Sequence, residues 1–382
     1  MRVANIIEEG KVGGPQIRMV RVAKALSVSV ETLIVMPRVN SGAFRELCST
    51  NNVAFFTLPI TRITKEWRTL VAYVLLSPFE VLWLAYWIRK QRIDLVHASG
   101  GSWQYKAIMA AWIAGKPSIW HLNDTSMPLW VRNIFRLLQP MASAFIYASK
   151  SSQKYYSDLI RPGRPQSIVP STVDLNYFSP YLDHPQVSEI AIGSAELVIG
   201  TVANVSPVKG IDVLIRAAVH LRSLGFSPHV VIVGPVFERQ SDYLSQLLQL
   251  AEEKGLQNIH FVGASSDVRP YLARFNAYVC SSIAESSPIS VWEAMAMGCP
   301  VVSTDVGDVS QHIESGRSGF VVRVNDHIEM AERIAELLGN AELRSFIGNN
   351  ARQAAAPFSP DLVAKQTLDA YNRTLLSYAQ SS

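Results

Sequence analysis

Two glutamates, Glu285 and Glu293, stand eight positions apart in the run ESSPISVWEAMAMGCPVVSTDVGDVSQHIESGRSG. A Ser/Pro-rich loop, Ser286-Ser287-Pro288-Ile289-Ser290, separates them, and a small-residue helix, WEAMAMG, follows. Gly298 stops that helix and Pro300 opens an apolar run, VVST, so the order is loop, helix, strand, loop. One carboxylate before a helix and another on its first turn suit hydroxyl-rich ligands, because each accepts charge-assisted hydrogen bonds. The loop between them offers free N–H groups at the positive end of the helix, where phosphate binds readily. Such a segment points to a phosphorylated sugar or a nucleotide. An ordinary surface helix with two solvated acids gives the same pattern.

The elements that must position this run are strand–helix units. A chain of 382 residues, 48% hydrophobic and 17% charged, fits two domains with sizeable cores. In the first half VANII, ETLIVMP, VAFFTLP, DLVHAS, PSIWHL and AFIYAS read as strands. In GGPQIRMVRVAKAL, the spacing of Met19, Val22, Ala23 and Leu26 predicts a helix with a core face. The polar segment 170–186, with Pro170, Pro180 and Pro185, reads as a linker. Beyond it ELVIGTVAN, HVVIVG, NIHFVG, AYVCSS, CPVVST and SGFVV form a second series. Alternation of this kind predicts two doubly wound parallel sheets, which bind ligands at the C-terminal ends of their strands.

Charge is unevenly spread. Residues 1–180 carry 21 Lys+Arg against 10 Asp+Glu, whereas the whole chain nets only +4. An anionic partner for the first half follows, such as a membrane surface or a phosphorylated lipid; no nucleic-acid recognition motif accompanies the charge. The stretch 70–88, LVAYVLLSPFEVLWLAYWI, is long enough to span a bilayer, but Pro78 and Glu80 sit mid-segment. Two buried or interfacial helices joined near Ser77-Pro78 are expected instead. Arg62, Lys65 and Arg68 before them and Arg89, Lys90 and Arg92 after them give a peripheral contact with anionic membrane through 62–92. The alternative is a helical hairpin buried in the first domain. Three scattered cysteines, Cys48, Cys280 and Cys299, and an N-terminal apolar run too short for a signal peptide predict a reduced, cytoplasmic setting. No D-x-D triplet supplies paired aspartates for Mg²⁺ or Mn²⁺.

The opening run resembles the donor-binding signature of retaining glycosyltransferases of family four, roughly E-G-x-P-x-x-x-x-E-A-M-A-x-G-x-P-V-V. Glu285, Pro288, Glu293, Ala294, Met295, Ala296, Gly298, Pro300, Val301 and Val302 match in place. Ser286 stands where the family usually has Gly, a departure that matters if the position needs φ > 0. The resemblance implies the GT-B fold, two doubly wound domains facing across a cleft. The expected divisions are 1–175 for the acceptor, 190–358 for the nucleotide-sugar donor, and a C-terminal helix, 359–382, packing back on the first domain. VANVSPVKG resembles the family's diphosphate loop; Lys209 matches, and Asn204 replaces an arginine. VGGPQIRMVRVAKAL resembles its glycine loop, giving Gly13, Gly14 and Arg18 as candidates for an acceptor or phosphate. WHLNDTSMP closes a strand, and His121 in it matches the family's histidine at that strand end, near the transferred sugar; Asp124 is expected to cap the next turn or contact the acceptor.

The implied activity is metal-independent, retaining transfer from a nucleotide diphosphate sugar to an acceptor hydroxyl, with no cofactor. Glu293 would accept from ribose hydroxyls and Glu285 from the sugar. Lys209 and N–H groups around Ser286, Ser287, Pro288, Ile289 and Ser290 would hold the diphosphate. The basic, aromatic first half adds a lipid-linked or glycan acceptor at the inner membrane face, in surface polysaccharide or glycolipid synthesis. A nucleotide-sugar epimerase of the same architecture and a non-catalytic nucleotide-sugar-binding subunit are the rival readings.

Overall fold

A computed structural model of the chain describes residues 1–62, 67–184, 192–193 and 196–381. Lys65, the side chain of Arg68, residue 190 and the 185–186 end of the expected linker lie outside the described residues. The chain divides into two compact units, one of residues 1–172 with 360–382, the other of residues 173–359. The crossing thus falls inside the expected linker, between Thr172 and Val173.

Unit 1 begins with β1 (Arg2–Ile6), α1 (Gly14–Leu26), β2 (Glu31–Pro37), α2 (Gly42–Thr50) and β3 (Phe55–Leu58). It continues through α3 (Trp67–Lys90), β4 (Leu95–Ala98), α4 (Tyr105–Ala114), β5 (Ser118–Leu122) and α5 (Leu129–Leu138). It closes with β6 (Ala144–Tyr147), α6 (Lys150–Tyr156) and β7 (Gln166–Ile168). The parallel sheet runs β3-β2-β1-β4-β5-β6-β7. Both faces are covered, so the strands read as continuous apolar runs. Alternation sorts the residues: Ala4, Ile6, Val96, Ala98, Trp120 and Leu122 join one core. Val3, Leu95, Ile119 and Ile146 join another. The short edge strand β7 has no counterpart in the sequence reading, because QSI offers only one apolar residue to recognise.

Unit 2 contains β8 (Val198–Val202), α7 (Ile211–Ser223), β9 (His229–Val233), α8 (Ser241–Glu253), β10 (Ile259–Gly263) and α9 (Arg269–Arg274). Then come β11 (Ala277–Cys280), α10 (Ile289–Ala296), β12 (Val301–Thr304), α11 (Val309–His312), β13 (Phe320–Val322), α12 (His327–Gly339) and α13 (Ala341–Ala354). Its parallel sheet runs β10-β9-β8-β11-β12-β13. In both sheets the strand order reverses beside the first strand, which puts a ligand-binding crevice at the C-terminal ends of β1/β4 and of β8/β11. A last helix, α14 (Pro360–Ser381), returns to unit 1 and packs on α1.

The apolar stretch departs from its expected form. It is one helix, α3, with Pro78 inside it, not two helices joined there. Pro78 removes one N–H, and the Ser77 hydroxyl donates to Tyr73 O in the turn before it. Nor is α3 wholly buried. Glu80, Val81, Leu84, Ala85 and Ile88 face inward, while Val74, Leu75, Phe79 and Leu82 face out, Phe79 at 72% exposure. By length and composition Val71–Lys90 is apolar enough to cross a membrane, and a third of that window is buried. Its carboxylate is neutralised on the inner side: Glu80 Oε2 lies 2.5 Å from Lys106 Nζ of α4. Glu80 also accepts from the Thr61 N–H at 2.9 Å and hydroxyl at 3.1 Å.

Candidate active site

In unit 2, three loops at the C-terminal ends of β8, β11 and β12 converge on Glu285. The first turns at Pro207–Lys209 and ends at Gly210, whose φ is +59. A Cβ on Gly210 would lie 2.1 Å from Ser281 O, so only glycine lets this loop meet the one after β11. Ser281 Oγ donates to Lys209 O at 3.0 Å, and the Ile283 N–H donates to Val208 O at 2.8 Å. With the loops joined, Lys209 Nζ donates to Glu285 Oε1 at 2.5 Å, and Ser282 Oγ donates to the same oxygen at 2.8 Å. Burial disfavours the Lys209 cation, but Glu285 outweighs it and the ammonium pKa is held above its usual value. The pair is a quarter exposed or less on each side, so it reaches solvent without being freely solvated.

The departure at Ser286 resolves differently from expectation. Ser286 is not in the left-handed region; the positive φ belongs to Gly307, at +64, on the facing loop after β12. A Cβ on Gly307 would lie 2.3 Å from Ser286 O. The backbone demand is therefore carried across the contact, and serine fits at 286. Two hydroxyls, one in the loop and one in the first turn of α10, hold that helix: Ser287 Oγ accepts from Trp292 Nε1 at 3.1 Å, and Ser290 Oγ accepts from Tyr278 OH at 2.8 Å. Pro288 caps α10 and Ile289 opens it. Glu293 is the fifth residue of this helix, hence on its second turn and not its first, and it is buried rather than solvated. Asn204 sits half-buried just past β8, near the close approach of Gly234 to the Ala203 carbonyl. Sequence reasoning missed Asp308: it is buried beside Ser287, its Oδ1 has no partner among the described residues, and burial pushes its pKa up to about 7. The DVGD run contained it, but nothing in the run distinguishes a buried acid from a solvated one.

In unit 1 the candidates divide. Gly13 caps α1 in extended backbone, and neither Gly13 nor Gly14 has positive φ, so no left-handed turn requires these glycines. Arg18 is not a surface arginine. It is 5% exposed, Nε donates to Pro170 O at 3.2 Å, and Nη2 is buried without a partner among the described residues. Asp124 caps no following turn. Its carboxylate accepts from the Ser102 N–H at 3.2 Å, the Ser102 hydroxyl at 2.5 Å and the Tyr156 hydroxyl. Those bonds make it a brace between the loops after β4 and β5. His121, next to last in β5, is buried, with Nδ1 3.1 Å from His97 Nε2 and Nε2 without a partner among the described residues. Burial, then the Arg18 charge, hold its pKa well below the usual imidazole value, so the ring is neutral.

A second buried polar group lies past β1, unforeseen in the sequence. Glu8 takes the Lys106 N–H at 3.1 Å and the Tyr73 hydroxyl at 3.1 Å. Burial raises it to about 7 against the lowering effect of Lys106. Lys106 Nζ donates to Thr61 O at 2.6 Å as well as pairing with Glu80. Its partners are 45 and 26 residues away in sequence, so no local pattern announces them.

Comparison with known proteins adds to this geometry. The family described as Glycosyl transferases group 1 matches residues 186–354, and Glycosyltransferase Family 4 matches residues 12–177. The chain is similar to a D-inositol 3-phosphate glycosyltransferase of Nocardia farcinica, 29% identical over 55% of this chain and 48% of the relative. It is also similar to the lipopolysaccharide core biosynthesis mannosyltransferase LpcC of Rhizobium leguminosarum, 25% identical over 67% of this chain and 78% of that one. The match thus spans about half the length of the first relative. Among solved structures, Anabaena HepE in complex with UDP and glucose superposes with a TM-score of 0.82 at 22% identity, covering 97% of this chain and 99% of that one.

Proposed function

The chain belongs to the family-four, group 1 glycosyltransferases, with two doubly wound parallel-sheet units of the GT-B type, and from that premise we propose that it is a retaining, metal-independent transferase acting on a nucleotide diphosphate sugar. The observation that carries the reading is the joined Lys209–Glu285 pair at the C-terminal ends of the unit 2 strands, with Glu293 buried on the following helix, α10. Glu285 Oε1 is taken, and its Oε2 is left to accept from a sugar hydroxyl. Lys209 spends one donor on Glu285 and keeps two for the diphosphate. The N-terminus of α10 adds its positive end, which partly offsets the arginine that Asn204 replaces.

Transfer breaks the bond from the anomeric carbon to the diphosphate oxygen and forms one from the same face to the acceptor oxygen. The acceptor proton passes to the departing phosphate oxygen, and the nucleoside diphosphate leaves. Lys209 and the α10 N–H groups stabilise charge that grows on that oxygen in the transition state. His121, neutral, contributes a hydrogen bond and no net charge.

The acceptor is a lipid-linked or glycan hydroxyl, and the work is done at the inner membrane face. The outward side of α3, with Val74, Leu75, Phe79 and Leu82 exposed and Lys90 and Arg92 at its end, supports contact with anionic lipid. Radiolabelled sugar offered as several nucleotide sugars to the protein with a membrane extract is the test. Product with retained anomeric configuration supports the reading; a protein that neither binds nor turns over any nucleotide sugar refutes it. Flotation with anionic vesicles tests the membrane part, and Phe79→Asp should reduce it several-fold.

A further inference from the structure

Three buried rings in unit 1 form a line, and the reading above leaves two of them, His97 and Tyr371, unused. β4 and β5 pair with Ala98 opposite Trp120, so His97 and His121 point from the same face of the sheet. Their rings are 5.3 Å apart and inclined by 18°. His97 Nε2 is 3.1 Å from His121 Nδ1, and His97 Nδ1 is 2.7 Å from the hydroxyl of Tyr371 on α14. All three residues are buried, and His121 Nε2, at the far end of the line, has no partner among the described residues.

We propose that Tyr371 and His97 are positioning residues that fix the tautomer of His121, so that its Nε2 presents N–H as a donor. The identity of what that donor meets, an oxygen of the transferred sugar or of its acceptor, rests on the transferase reading. The line allows only two proton arrangements when both imidazoles are neutral, and they are neutral: burial, then the Arg18 charge, lower His97 to about 3. In the first arrangement Tyr371 donates to His97 Nδ1, His97 Nε2–H donates to His121 Nδ1, and His121 carries its proton on Nε2. In the second every arrow reverses, and the Tyr371 hydroxyl hydrogen, buried, has no acceptor among the described residues. In the first arrangement one buried group, the His121 Nε2–H, has no partner among the described residues; in the second the Tyr371 O–H and the bare His121 Nε2 are both unmatched. Two unmatched buried polar groups cost more than one, which selects the first arrangement. Orientation of a histidine by the group on its other nitrogen is a general device; here it runs through a second imidazole to a helix 250 residues beyond.

The experiment uses the full chain labelled with ¹⁵N, in which two-bond ¹H–¹⁵N correlations report the tautomer of His121. The wild type should show Nε2–H. Tyr371→Phe keeps the ring and removes the hydroxyl; it should give a mixed tautomer, with kcat down about tenfold and KM for the nucleotide sugar within about twofold. His97→Phe, which fills the same space, should do the same. A wild-type His121 protonated on Nδ1 overturns the proposal, as does Tyr371→Phe with an unchanged tautomer. A shifted tautomer with unchanged kcat overturns the donor role. The tautomer measurement needs no substrate, so a wild type without turnover would count against the transferase reading alone.

Discussion

The two units handle polar groups in opposite ways. In unit 2 the groups at the strand ends are joined pairwise but left with unused capacity: Glu285 Oε2, two protons of Lys209, and the half-buried Asn204. In unit 1 several charged groups are turned inward and satisfied: Glu8 with Lys106 and Tyr73, Lys106 with Glu80 and Thr61, Asp124 with Ser102 and Tyr156, Arg18 with its open Nη2 being an exception. One arrangement awaits a polar ligand and the other braces a scaffold. The lesson is that residue type alone does not identify a site. A lysine–glutamate pair occurs in both units at the same 2.5 Å, and burial, 24% against 1% exposure for the lysine, separates the ligand-facing pair from the structural one.

The most severe way to break this comparison is Lys106→Met. It leaves Glu80 and Glu8 buried without their cation, and stability should fall by about 3–5 kcal/mol, read from urea unfolding. Lys209→Met removes the corresponding lysine in unit 2 and should cost far less stability while abolishing donor turnover. Equal losses in the two variants would erase the distinction. Next in size is Gly307→Ala, which combines a positive φ with a 2.3 Å approach to Ser286 O. A loss of about 2–3 kcal/mol is expected, with unfolding of unit 2 advanced relative to unit 1 in limited proteolysis.

A pH effect of intermediate size should appear in both units. Glu8 and Asp308 are each raised to about 7 by burial, so the folded chain keeps protons that the unfolded chain releases near pH 4 to 4.5. Their contribution is therefore fully present below that range and is lost as pH rises through about 7. Glu8→Gln should flatten the profile of unit 1 and Asp308→Asn that of unit 2. The smallest effect is Asn204→Arg, which should tighten nucleoside diphosphate binding several-fold at low salt, about 1 kcal/mol. No tightening would mean that Asn204 lies away from the diphosphate.

What was legible in the sequence follows the same division. Strand–helix alternation announced both sheets, since most strands are short apolar runs and Gly or Pro punctuates the segments between them. The Glu285–Gly298 run is contiguous, so local pattern and resemblance carried it to the loop that the structure places against Lys209. The unit 1 clusters were not legible. Lys106 sits in YKAIMAAWIA, where it looks like one cation on an apolar helix, and its partners come from three other segments. Pro78 suggested a break in α3 because proline costs a hydrogen bond, yet packing of the inward face on α4 outweighed that cost. Ser286 looked strained only because the glycine that meets the geometric demand, Gly307, lies on another loop.

The central claim is that unit 2 carries a nucleotide-sugar donor site with Glu293 on the ribose. Titration calorimetry of a panel of nucleoside diphosphates against the wild type and Glu293→Ala tests it directly. The account predicts binding of at least one nucleotide by the wild type, weakened about tenfold or more by Glu293→Ala through loss of the charge-assisted hydrogen bonds. Undiminished binding by the variant, or a wild type that binds none of the panel, would contradict it.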